Sequence, residues 1–414
     1  MTNYIILFLC VLVLLSYLFD ITSKYSRIPG VILLIGLGII IQVIFGTVGF
    51  DIPNMKPVLP VIGTLGLILI VMDASLDLKL ERRKKRMILK SVTSALLLFV
   101  IFVFVLSFAM VKFMGFPLTE SLLNVIPLGI ISSTIAIPSA INLKPEQKEF
   151  IVYESSLSDI IGILLFDFIL LNHGSILKGM VTFTFSGLLT ILIAVVLTSG
   201  LAMLMHRTRY HINYVIIMTS VVMVYVLAKF LFFPALLVVL IFGMALSNNR
   251  LAEHTFVERY VDFEKFRNDL ESFKKILGEL TFLVRSFFFI MFGYYTKVGG
   301  LVNPDNVLKG LIIIAVIFLL RWLFFKFILR VPAAPLVFFA PRGLITILLF
   351  LSVPAAFKLS VISEEVITLV ILLSIVILTI GNMSQRKRIP MPQNTMASEK
   401  TGTFPESEKV VDTQ

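Results

Sequence analysis

Cysteine occurs once in the 414 residues, at Cys10, which excludes an intrachain disulfide. The four histidines, His173, His206, His211 and His254, fall in or beside loop stretches, and with a single thiol they leave no soft-metal site. Charge is scarce too: 15% of residues are Asp, Glu, Lys or Arg, where a soluble domain carries about a quarter. No phosphate-cradling loop, metal-ligand cluster or nucleophile–base set is present, so neither an enzyme nor a cofactor is expected. No repeated carbonyl filter or ring of acids argues for a channel. What the sequence has instead is apolar: 58% of residues are hydrophobic and mean hydropathy is +1.00. They gather in runs of about 17–25, the length of a helix crossing a bilayer core of about 30 Å. Lipid supplies no hydrogen-bond partners, so such runs must be helices.

The formal charge of +11 does not point to nucleic acid, because the basic residues sit in short loops such as 82-RRKKR-86, 207-RTR-209 and 386-RKR-388. About thirteen spans can be drawn by length and hydropathy: 4–19, 28–46, 57–78, 88–114, 119–141, 149–171, 176–205, 212–230, 232–247, 279–297, 306–330, 333–357 and 362–383. The run 4–19 lacks the basic n-region and cleavage site of a signal peptide and is read as the first span. An outside N-terminus puts Arg27, 79–90, 142–148, 206–211, 248–278, Arg330 and the tail from Arg386 in the cytoplasm, together with most of the Lys and Arg. Residues 249–278 read as an amphipathic helix at the cytoplasmic interface, with Phe256, Tyr260, Phe263, Phe266, Leu270, Phe273 and Leu277 on three- and four-residue steps. Residues 385–414 read as a disordered tail.

The expected fold is therefore an all-α polytopic membrane protein. A long seventh span suggests six plus one plus six, built as two inverted six-helix repeats whose ion site lies where discontinuous helices meet. The breaks are expected in spans five and twelve, at 132-SSTIAIPS-139 and 340-APRGLIT-346, flanked in the second case by Pro335 and Pro354. Backbone freed there is tolerable only around a protein-lined cavity.

Ionisable residues inside apolar runs cost about 2.5–3.5 kcal/mol each to insert, and so mark function. They are Asp73, Glu154, Asp159, Asp167, Arg285, Arg321 and Arg342, with Lys229 between two runs. Glu154 and Asp159 stand five residues apart, about 500° around a helix, and point to different faces. Arg321 suits one of them as a neutralising partner. The other, with Ser155, Ser158, Thr134 and freed carbonyls nearby, offers the oxygen ligands that a dehydrated alkali cation takes. A carboxylate so poorly hydrated binds a proton or a cation but not both well. Competition for one site, with alternating access, then gives exchange. Asp73 reads equally as a cavity-lining acid or a helix-end residue reaching toward water; Arg342 supplies positive charge near the crossing.

Several motifs resemble the cation–proton antiporter superfamily, the sodium/proton exchangers, over residues 27–383. They are 27-RIPGV-31, 69-LIVMDASLDLK-79, 153-YESSLSD-159, the lone Arg321 in an apolar helix, and 341-PRG-343. The closest likeness is to the electroneutral branch. The serines before 134-TIAIP-138 look like the electrogenic or potassium branch, Ile137 replaces a family aspartate, and Ser158 is neither the Asn nor the Asp usual before Asp159. The resemblance implies that Asp159 binds the cation and proton, with Ser158, Ser155, Thr134 and Ser133 around it, that Glu154 and Arg321 form a core salt bridge, and that Asp73 and Arg342 are accessory. It implies crossed unwound helices and a homodimer in the plasma membrane. The dimerisation domain comprises 1–86 and 207–300, the core transport domain 87–173 and 301–384, the linking span 174–206, and the tail 385–414. The implied activity is elevator-type exchange of Na+ (or Li+ or K+) for H+, one for one. A potassium or other small-solute proton exchanger, and a non-transporting membrane sensor or scaffold, stay open.

Overall fold

The computed structural model describes residues 2–26, 29–48, 59–77, 85–140, 143–171, 213–230, 235–247 and 263–384. The expected span 176–205, the first part of the amphipathic stretch (249–262), the four histidines and the tail lie outside them.

Every regular element among the described residues is helical. In chain order they are α1 (Thr2–Ser26), α2 (Gly30–Val48), α3 (Leu59–Asp77), α4 (Lys85–Thr93), α5 (Phe99–Met114), α6 (Leu118–Gly129), α7 (Ser133–Ser139), α8 (Pro145–Leu171), α9 (Asn213–Phe230), α10 (Ala235–Ser247), α11 (Phe263–Tyr295), the short α12 (Val298–Val302), α13 (Pro304–Leu323), α14 (Leu344–Ser352) and α15 (Glu364–Ser384). A π-helical turn, Ser94–Leu98, joins α4 to α5, and another, Phe324–Leu329, extends α13. Six helices among the described residues are long and apolar enough to cross a membrane. Their outer faces are apolar: Phe104, Phe108, Leu311, Leu319 and Ile380 are exposed, as side chains solvated by lipid can be.

Helix ends follow local chemistry. Gly115 takes a φ of 72° after α5, and its amide and that of Phe116 return to the carbonyls of Val111 and Met110. That is the left-handed close that glycine permits. Asn303 caps α13 through the Asp305 amide, with Pro304 at the first helical position, where its missing N–H costs nothing.

The helices pack in two groups. In one, α2 and α3 lie against α11, α3 against α10, and α9 against α10. The close approach has a sequence cause: a Cβ on Gly38 would run into the Ile290 carbonyl, and one on Gly293 into the Ile35 carbonyl. In the other, α8 packs on α4, α6 and α7, α5 on α6, and α13 on α15. The groups meet where α14 touches α3 and α10 touches α8.

The expected interfacial helix ends differently from the sequence reading. From Phe263 onward it runs into the next span as one 33-residue helix, with no break near Gly278. No proline interrupts it, and Phe273 and Leu277 of the apolar stripe are fully buried against the protein.

Spans five and twelve are interrupted. Span five leaves α6 after Pro127 and Gly129, runs extended through residues 130–132 and resumes as α7. Span twelve runs through a 3-10 turn at Leu336–Phe338, then non-helical backbone to Gly343, and resumes as α14. Pro341 biases Ala340 away from helical geometry and has no N–H of its own. The two breaks touch: the Ser132 amide donates to the Pro341 carbonyl at 2.8 Å.

Candidate functional site

Helix α8 carries both acids of 153-YESSLSD-159, and their spacing sends them to different neighbours. Glu154 is 1% exposed and forms a two-pronged ion pair with Arg321 of α13, at 2.9 Å to Oε1 and 2.6 Å to Oε2. The Ser94 hydroxyl donates to Oε1 at 2.5 Å. Arg321 also donates to the Leu336 and Phe339 carbonyls and lies over the Phe325 ring, 4.7 Å from its centroid. Both charges are therefore matched, and the carbonyls released before the second break are satisfied by the same guanidinium. Both π-helical turns lie beside this pair, one presenting Ser94 and the other Phe325.

Asp159 has no such arrangement. It is 4% exposed, and neither carboxylate oxygen has a hydrogen-bond partner among the described residues. Ser133, the first residue of α7, offers its hydroxyl and amide toward the carboxylate without closing a hydrogen bond. Ser155, one helical turn away on the same face, is fully buried and gives its proton to the Ile151 carbonyl, which keeps its oxygen lone pairs available. Hydroxyls that donate elsewhere and a carboxylate that accepts nothing make an oxygen-rich pocket for a hard cation or a proton.

Some expected ligands are otherwise engaged. The Ser158 hydroxyl accepts the Ile131 amide at 3.0 Å, capping the first break. Thr134 pairs with Ser132 at 3.0 Å. The freed carbonyls expected around the cation serve the arginines: Arg342 donates from Nε to Leu128 at 2.6 Å and from Nη1 to Ala340 at 3.0 Å. Its amide is held by the Ser374 hydroxyl of α15. Arg342 thus ties the two broken backbones together, a more definite task than a diffuse positive charge.

Asp73 is half-buried on α3, and with Asp20 of α1 it acts electrostatically on Arg285 of α11. Asp167 lies two turns along α8 from Asp159, where Lys229 and Tyr225 of α9 feel its charge. Among the described residues neither acid is hydrogen-bonded to the Asp159 carboxylate. Among the described residues no group of three or more His, Cys, Asp or Glu side chains converges. Ser94 and Ser374 escaped the sequence reading. Their only signal was a hydroxyl in an apolar run, and many such hydroxyls simply bond back to their own helix.

No curated protein sequence matches this chain. Among solved structures it resembles the sodium proton antiporter MjNhaP1 from Methanocaldococcus jannaschii determined at pH 8, with a TM-score of 0.66 and 18% identity over 91% of this chain and 95% of that one. An electron-microscopy structure of MjNhaP1 gives a TM-score of 0.64 and 17% identity over 93% and 95% of the two chains. At such identities the likeness is one of fold. The sodium/hydrogen exchanger transmembrane family matches residues 10–384, nearly the whole chain. The chain belongs to the sodium/hydrogen exchanger family.

Proposed function

We propose that this protein is a secondary antiporter that exchanges a monovalent cation, Na+ in the first place, for H+, one for one. The observation that carries the reading is Asp159: a buried carboxylate whose two oxygens close no hydrogen bond and meet no arginine among the described residues. Leaving it bare and charged in a low-dielectric site is costly, so a proton or a cation must neutralise it. Since each occupant excludes the other, moving the group from one side to the other exchanges them. Ser133 and Ser155 are the ligands best placed to complete the cation's shell.

One-for-one exchange is supported by the two acids of 153-YESSLSD-159: Glu154 is matched by Arg321, and Asp159 is the one of this pair left to change partners, so one cation replaces one proton. Alternating access is assigned to a sliding of the group holding α4–α8 and α13–α15, the core transport domain, against the group holding α1–α3 and α9–α11, the dimerisation domain of a homodimer. The setting is a cell membrane, with Arg342 and the salt bridge keeping the core rigid as it travels.

The test is a proteoliposome with an interior pH dye and an imposed proton gradient. Adding sodium, lithium or potassium in turn identifies the cation, and Asp159→Asn is expected to reduce dissipation to the rate of protein-free vesicles. A folded Asp159→Asn variant that transports like the parent refutes the proposal, and a parent inert with all three ions favours a non-transporting role.

A further inference from the structure

Behind the crossing of the two broken spans lies a cavity of about 20 Å³ with polar walls from Ser94, Ser158, Arg321 and Arg342. We infer that it binds a single water molecule, which bridges Ser158 of α8 and Arg342 of the second break, with Ser94 as a further partner. The inference does not depend on which cation is carried, or on whether one is.

Size and chemistry both favour one water. A buried water needs about 10–15 Å³ and two to four polar partners. The Ser158 hydroxyl accepts from the Ile131 amide, but among the described residues its proton has no acceptor. Arg342 uses Nε on Leu128 and Nη1 on Ala340, while Nη2 meets no acceptor among the described residues although the residue is 3% exposed. Ser94 gives its proton to Glu154 and keeps its lone pairs. A water can therefore accept from Ser158 and from Arg342 Nη2 and donate to Ser94. Phe99 and Phe102 add apolar wall, so the polar partners named are those the molecule would have on that lining.

The water would link the Ser94–Leu98 turn, α8 and the second break, segments that Glu154 and Arg321 also bring together. It would complete the solvation of Arg342, which has carbonyl partners and no carboxylate among its hydrogen bonds. Ser158 and Arg342 are on this view positioning residues that hold the crossing from behind.

A map of the full-length protein that resolves ordered water elsewhere in its core tests this directly. The expected result is one peak within hydrogen-bond distance of Ser158 Oγ and Arg342 Nη2. A second map, of Ala95→Val, which builds two carbons onto the cavity wall, should lose that peak while keeping the fold. No peak in the parent overturns the inference. So does an anomalous signal there after bromide replaces chloride, because the occupant is then an anion, and so does a peak that persists unmoved in Ala95→Val.

Discussion

At the scale of single residues, the two acids of α8 differ in what surrounds them. Glu154 has two guanidinium contacts and a serine hydroxyl, and its removal leaves Arg321 buried without a counter-charge. Glu154→Gln should therefore cost about 3–5 kcal/mol, the cost of breaking a buried pair, seen as a lower unfolding temperature in detergent. Glu154→Leu combined with Arg321→Met should regain part of that loss, because no lone charge remains. Asp159 gives the opposite signature. Asp159→Asn removes an acid without stranding a base, so the protein should melt at or above the parent temperature while transport is lost. Competition also fixes the sign of the pH effect. Where the carboxyl is mostly protonated, each unit of falling pH should raise the apparent KM for the cation about tenfold, because the proton must leave first. Sodium titrations of transport at several pH values check this, and a KM independent of pH would mean that proton and cation use separate groups.

Elements show how much was legible in the chain. The interruptions in spans five and twelve were readable from 132-SSTIAIPS-139 and 340-APRGLIT-346, the first break falling at 130–132 and the second ending at Gly343, because hydroxyls, proline and glycine weaken a helical hydrogen-bond ladder. So was the separation of Glu154 and Asp159 onto different neighbours, since five residues of helix rotate one acid away from the other. The fate of the freed carbonyls was not readable. Leu128, Leu336 and Phe339 are remote in sequence from the arginines that take them, and only tertiary packing pairs them. The Ser158–Ile131 contact was hidden for the same reason. Neither could the sequence say that α11 continues through 278, since a polar amphipathic stretch followed by an apolar one reads equally well as two helices. The α2–α11 contact yields an element-scale prediction. A methyl group on Gly293 meets the Ile35 carbonyl, so Gly293→Ala should push the helices apart and destabilise the protein by about 1–3 kcal/mol. Thermal unfolding measures it, and Gly36→Ala, which has open space around its Cβ, is the control.

For the whole molecule the question is charge movement. The proposed exchange of one cation for one proton predicts that the transport rate should not change when valinomycin and potassium set the membrane potential across the vesicle. A rate that climbs with potential would bring a second acid into the cycle, and Asp73 and Asp167 are the ones to replace with Asn. The arrangement of two helix groups meeting along α3, α14, α8 and α10 also predicts where restraint should act. Cross-linking a cysteine pair across that seam should stop exchange reversibly, whereas a link within either group should leave it running.

Helix α11 has a further consequence. Thirty-three residues at 1.5 Å each make a rod of about 50 Å, some 20 Å longer than the hydrocarbon it crosses. The surplus lies at the Phe263 end, since the apolar part spans Leu270–Tyr295. A stiff shaft packed along α2 and α3, with glycine contacts near its far end, moves as one lever: any tilt of its first turns would carry α2 and α3 with it.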